Sequence, residues 1–193
     1  MGLNGESQSL RRAGPRCHVV VTGPPGSGKT MLARPLARAL GLPLLSKDDI
    51  KEALFDELGT GDRLWARRLG RASITVLYRL AADCPAAVIE AVFQRDAAME
   101  DLHSLGTPLI EIHCRCAPET AIERFEQRAD TDRHPGHLDH RQPRNKLEQL
   151  VHEGSTPLGL GGSLLELDTS DPLDLDAIVD WVRTRPEWDS PHD

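Results

Sequence analysis

The chain has 193 residues, a formal charge of −7, 39% hydrophobic residues and only 4% aromatic ones. That length suits one domain, and the acidic balance argues against a broad grip on duplex nucleic acid, which needs many phosphate-neutralising cations. No apolar run approaches the ~20 residues of a membrane span, and Met1 to Arg16 lack the apolar stretch of a secretory leader. Residues 1–16 therefore read as a flexible extension, 17–185 as the folded domain and 186–193 as a flexible tail. The cytoplasm is the expected compartment. Cys17, Cys84, Cys114 and Cys116 fit reduced thiols there, because one C-x-C pair does not make a zinc site.

The first element is Cys17–Thr22, a β-branched run that reads as a buried parallel strand. A glycine-rich turn follows, then a helix from Thr30 to Leu40 that Pro35 should kink or loosen. Leu42–Leu45 is the second strand. The chain then passes Ser46-Lys47-Asp48-Asp49 into a helix over Ile50–Leu58. A long helix is expected over Arg63–Asp83, a strand over Ala86–Ala91, a helix over Asp96–Leu105 and a strand over Pro108–Cys114. Helix returns over Pro118–Arg128 and, after a polar stretch from Ala129 to Pro143, over Arg144–Glu153. Gly154–Gly162 is a glycine- and proline-rich loop. Ser163–Leu167 is the fifth strand and Leu173–Arg185 the last helix. Strands alternating with helices predict a three-layer α/β/α fold with a five-stranded, mainly parallel sheet.

Gly23-Pro24-Pro25-Gly26-Ser27-Gly28-Lys29-Thr30 fits G-x-x-x-x-G-K-[ST] in full, and it joins a strand to a helix as a phosphate-binding loop must. Each position has a chemical reason. Gly23, Gly26, Ser27 and Gly28 present backbone N–H groups as an anion nest at a helix N-terminus, and Pro25, which has no N–H, shapes the same nucleotide-binding loop. Lys29 brings a point charge to the β- and γ-phosphates, and the Thr30 hydroxyl is placed to ligate Mg²⁺. The expected ligands are a nucleoside triphosphate, ATP, and Mg²⁺.

With this loop, an acidic pair after the second strand and a late arginine-rich segment, the chain resembles the small P-loop kinases. Among them it is similar to the AAA-type or zeta-toxin-like predicted kinases, a group that includes chloramphenicol phosphotransferase and the kinase domain of polynucleotide 5′-kinases. The resemblance spans about Val19 to Trp181. It implies phosphoryl transfer from Mg-ATP to a hydroxyl. Asp48 matches the aspartate that acts on the acceptor hydroxyl. The carboxyl end of a strand beside the loop is also where ligands bind in such sheets. Asp48 or Asp49 could instead cap the following helix.

The resemblance also implies a mobile lid over about 124–143, with Arg124, Arg128 and Arg133 reaching the transferring phosphoryl group. Guanidinium is suited to that work, being always charged and able to grip two oxygens. The alternative is a solvated helix face paired with Glu119, Glu123 and Glu126. Asp168-Thr169-Ser170 resembles a stretch that lies near the adenine base, so Thr169 is a candidate contact, while Ser170 or Asp171 could equally cap the last helix. Glu90 is the single acid at the end of the third strand, where it could assist Mg²⁺ or bind acceptor. His134, His137 and His140 recur at intervals of three, but no further ligands complete a tetrahedral site.

The expected acceptor is a small molecule such as a nucleoside, sugar or antibiotic. A polynucleotide 5′-hydroxyl is the alternative, for which Arg63, Arg67, Arg68, Arg71 and Arg79 would supply the charge. A nucleotide-dependent switch is the third reading.

Overall fold

The apolar run His18–Thr22 forms β1, buried along its whole length as the central strand of a sheet covered on both faces. The computed structural model describes residues 15–130, 133–138 and 143–189. Most of the expected N-terminal extension, His140, the lid positions 131–132 and 139–142, and residues 190–193 lie outside that range.

Four further strands flank β1: β2 (Leu44–Ser46), β3 (Ala87–Glu90), β4 (Leu109–Arg115) and β5 (Leu164–Asp168). Their order is β2-β3-β1-β4-β5, and every pairing is parallel. The sheet is thus wholly parallel, where composition and alternation had implied mainly so. Successive residues of β1 face opposite layers. Val19 and Val21 pack with Leu32 and Leu36 of α1 (Lys29–Leu40) and with Val179 and Val182 from residues 175–183. Val20 faces the other layer, with Leu77 and Leu102 from the segments 63–83 and 95–103. The result is the expected three-layer α/β/α fold.

The remaining helices are α2 (Lys47–Leu58), α3 (Arg63–Asp83), α4 (Arg95–His103), α5 (Pro118–Asp130), α6 (Arg144–Glu153), α7 (Leu175–Arg183) and α8 (Pro186–Asp189). Helix α1 runs unbroken through Pro35. Helix α2 starts three residues before the expected Ile50, because Ser46 takes the cap position and its side chain accepts from Asp49 N at 3.4 Å. Neither aspartate caps this helix, so both side chains project from its first turn. Helix α7 is likewise capped by Asp174, not by Ser170 or Asp171.

Part of the segment expected as a flexible tail is docked. In α8, Glu187 accepts from Ser163 N and Oγ at 2.7 and 2.9 Å, and Trp188 packs against the α1 layer. Burying the indole and satisfying the start of β5 together hold this turn in place. Under the phosphate loop, Thr22 Oγ1 donates to Glu111 at 2.9 Å and contacts His113 Nδ1 at 2.9 Å. Glu111 also accepts from Leu158 N and Gly159 N at 2.7 and 2.9 Å. This buried network fastens the loop before β5 to the sheet, and its many donors allow a carboxylate to sit in the core.

Candidate active site

The phosphate loop runs from the end of β1 into α1. Gly23, Gly26 and Gly28 have φ of 134°, 77° and 79°, a region closed to most side chains. Space makes the same demand. A Cβ on Gly26 would overlap the carbonyl oxygen of Ala121 in α5, and one on Gly23 would overlap that of Cys114 in β4. Glycine lets the backbone take this curvature without strain, and a loop of such geometry at a helix N-terminus suits a polyphosphate.

Lys29, 5% exposed, donates from Nζ to Pro24 O at 2.7 Å. That uses one of its three donors. Burial pulls its pKa down and the nearby Glu90 carboxylate opposes that shift. Parallel pairing sets Glu90 opposite both Val21 of β1 and Ser46 of β2. Its carboxylate accepts from Thr30 Oγ1 at 3.4 Å and from Ser46 Oγ at 3.0 Å. Burial raises the Glu90 pKa, and Lys29 works to lower it. Three oxygen side chains converging beside a phosphate cradle make a donor set suited to a hard divalent cation such as Mg²⁺.

Across the cleft, Asp48 lies in the first turn of α2. Its Oδ2 accepts from Arg133 Nη2 at 2.8 Å, and its Oδ1 accepts from Lys47 Nζ at 3.1 Å. Burial alone would raise its pKa, but Lys47, Arg133 and His137 outweigh burial and hold Asp48 well below the usual carboxylate range. Asp48, Glu52 and Asp56 recur at intervals of four, so they form one acidic face of α2. The segment Arg133–Leu138 covers that face. Arg133 Nη1 is 3.6 Å from Glu52, His137 Nε2 is 2.9 Å from Glu52, and His134 Nε2 is 3.2 Å from Asp56. The His134 ring stacks on Phe55 with centroids 5.3 Å apart. Gly136 fits closely there, since a Cβ would come 2.5 Å from the Phe55 ring. His137 is pulled down to about 3, by burial first and by Arg133 second.

These residues enclose a cleft of about 530 Å³. Pro25, Gly26, Gly28, Lys29 and Thr30 form one wall, and Asp48, Glu90, Arg124, Arg128 and Arg133 reach it from other elements. Among the expected site residues, Gly23, Ser27 and Thr169 do not line it. Ser27 is fully buried beneath the loop. The Thr169 hydroxyl is taken up by the carbonyls of Ser27 and Arg115 at 3.0 and 3.2 Å, which makes it a strut under the loop. Arg124 braces that strut, donating to Thr169 O at 3.1 Å. Arg128 lies over the Phe125 ring at 5.7 Å. Of the glutamates offered as partners for these arginines, Glu126 accepts instead from Arg144 at 3.2 Å.

Lys47, Lys51 and Glu52 also line the cleft, and the sequence had not singled them out as site residues; His137, weighed from the sequence as a metal ligand within the lid, lines it too. The acidic ladder on α2 was the available signal. Like charges four apart weaken a helix unless cations cover them. His134 and His137 serve as partners to that ladder, and among the described residues no cluster of side chains forms a metal site by itself. No helix among the described residues is long and apolar enough to cross a membrane.

Known proteins share this fold. The sequence profile of the AAA domain family matches residues 19–150. A crystal structure from Chloroflexus aurantiacus, described as a "putative kinase", is 40% identical, with a TM-score of 0.80 over 89% of this chain and 98% of that one. A gluconokinase from Sinorhizobium meliloti shares the fold, with 17% identity and a TM-score of 0.58 over 87% of this chain and 90% of its own. The Holliday junction branch migration complex subunit RuvB of Salinispora tropica is 35% identical over 80 residues, which are 36% of this chain and 23% of that protein. The chain thus spans about a quarter of the length of the curated relatives it matches. A profile match across most of the fold leads to one conclusion: this chain belongs to the AAA domain family.

Proposed function

We propose that the protein is a kinase that moves the γ-phosphoryl group of Mg-ATP to the hydroxyl of a small molecule. The observation that carries this reading is the placement of Asp48. A half-buried, ionised carboxylate lines the same cleft as Lys29 and pairs with Arg133, where an acceptor hydroxyl would meet a phosphate held in the loop. The cytoplasm suits its free cysteines, since burial pushes the thiols of Cys17 and Cys114 up to about 12 and leaves them inert.

When bound, ATP supplies the phosphoryl group: the acceptor oxygen bonds to the γ-phosphorus, the bridging oxygen leaves with ADP, and the hydroxyl proton departs. Thr30 would hold Mg²⁺, with Glu90 and Ser46 fixing that corner of the site. The loop N–H groups and Lys29 hold phosphate charge. Asp48 orients the hydroxyl. With its pKa held low, it is a weak base in the ground state and takes the proton only as the new bond acidifies that oxygen. Arg128 and Arg133 oppose the charge spread over the transferring group, and the segment around His137 excludes water. The likeness to RuvB is confined to 80 residues and 23% of that protein, so it carries no activity to this chain.

The test is ADP release from the protein with Mg-ATP, alone and with pools of nucleosides, sugars, hydroxylated antibiotics and 5′-hydroxyl oligonucleotides. Lys29→Ala serves as the control. Stimulation by one small-molecule pool, abolished in the variant, is the expected result. Stimulation by oligonucleotides alone would move the protein to the polynucleotide kinases, and none by any pool would count against the kinase reading.

A further inference from the structure

A second cavity, of about 650 Å³, adjoins the cleft and shares Lys47, Lys51, Val92, His137 and Leu150 with it. Its walls carry five cationic side chains, Lys47, Lys51, Arg63, Arg67 and Arg71, against one carboxylate, Asp101. The whole chain is acidic, so this is a local concentration of positive charge and not a share of a basic surface. Three of the cations, Arg63, Arg67 and Arg71, repeat every fourth residue along one face of α3. Like charges at that spacing repel, so the array gains the helix nothing by itself. Among the described residues, the side chains of Arg67 and Arg71 make no hydrogen bond or ion pair. Between the cations lie Ile74, Phe93 and Leu138, which give the cavity apolar wall as well.

We propose that this cavity holds the acceptor, and that the acceptor is a small hydroxyl compound bearing an anionic group, carboxylate or phosphate. Arg67 and Arg71 grip the anion, the apolar wall receives the organic body, and the hydroxyl reaches Asp48 through the shared opening. Guanidinium is the side chain best matched to either anion, because it offers paired donors. The volume lies within the range of small-molecule sites, about 300–1,000 Å³. Only the transfer step rests on the kinase reading; binding of the anion does not.

The experiment therefore reads both quantities. Calorimetry on the full chain, with Mg²⁺ and a non-hydrolysable ATP analogue, measures binding of sugar acids, sugar phosphates and nucleoside monophosphates. Each is set beside its uncharged parent, and a 5′-hydroxyl oligonucleotide is included. At least one small anion should bind, with its uncharged parent weaker by about tenfold or more. Arg67→Ala and Arg71→Ala should each weaken it by about tenfold, with Arg67→Lys recovering part of the loss. Both arginines are exposed, so folding should be unaffected. Arg79→Ala, on the same helix and outside the cavity, should change nothing.

The choice between sugar acids and phosphates as the tighter class identifies the anion. The proposal is overturned if uncharged parents bind as tightly, if the arginine variants bind as the wild type does, if no small anion binds, or if the oligonucleotide binds tightest. ADP release in the same mixtures separates the two claims. Arginine-dependent binding without ADP release keeps the cavity and defeats the kinase reading. ADP release driven only by uncharged compounds does the reverse.

Discussion

Replacing Asp48 by asparagine keeps the side chain's shape and one acceptor oxygen, and removes its charge and its capacity to take a proton. Two contacts bear the change, Arg133 at 2.8 Å and Lys47 at 3.1 Å. A hydrogen bond to a charged group contributes roughly 1.5–3 kcal/mol. The Asp48 side chain is 31% exposed, so solvent screening puts the loss near the lower end, about 1–2 kcal/mol. For a chain of this size that lowers the melting temperature by roughly 2–4 °C per kcal/mol. The catalytic loss should be larger. A positioned proton acceptor contributes about 10²–10⁴-fold in rate, or roughly 3–5 kcal/mol of barrier. Nucleotide affinity should hold or tighten slightly, since a negative charge facing the phosphates is gone. The assay pairs calorimetric titration of ATP with acceptor-stimulated ADP release. A variant that binds ATP normally but transfers at least a hundredfold more slowly is the expected outcome. Transfer within about threefold of wild type would remove Asp48 from the mechanism.

Lys29→Ala should weaken triphosphate binding by about tenfold or more, because the phosphates lose a charge-assisted partner, and a binding titration reads this directly. Glu90→Gln should raise the Mg²⁺ concentration needed for half-maximal activity by about tenfold or more, with ATP affinity measured without metal unchanged; an unshifted Mg²⁺ requirement would place Glu90 outside the metal corner. His137 supplies a pH test. Its pKa falls from 6.5 unfolded to about 3 folded, so between those values the unfolded chain binds the proton and the native one does not. Stability from this group is full above about pH 6.5 and declines as pH falls, by up to about 1.4 kcal/mol per pH unit. Glu52, raised by burial, works in the opposite direction at lower pH. Comparison with His137→Gln isolates the histidine: urea unfolding should show a shallower pH dependence in the variant between pH 6.5 and 5, and parallel curves would contradict the assignment.

The layout of the fold was legible because its signals are local. Arg63–Asp83 and Arg144–Glu153 form helices at the boundaries that periodicity implies, and the glycine-rich turn between β1 and α1 carries its own geometry. The start of α2 was misplaced because a Ser cap in front of two aspartates offers three equivalent local choices, and only the end of β2 selects Ser46. Glu90 shows the limit of local reading. Its place beside Thr30 depends on the register of β1, β2 and β3, which no short stretch of sequence encodes. The pairing of α2 with the segment around Arg133 is of the same kind, joining residues 85 apart. Thr169 was ambiguous for a related reason: a polar residue after a strand can face a ligand or support a loop, and here its hydroxyl is turned under the loop to Ser27.

The central claim is that the phosphoryl group goes to an acceptor and not to water. ADP and inorganic phosphate measured in the same reaction, before and after addition of a stimulating acceptor, test it most directly. The account predicts slow release of both without acceptor, and then ADP far in excess of phosphate once the acceptor is present. Equal amounts of ADP and phosphate under both conditions would identify a hydrolase, of the sort a motor or switch requires, and would contradict the account.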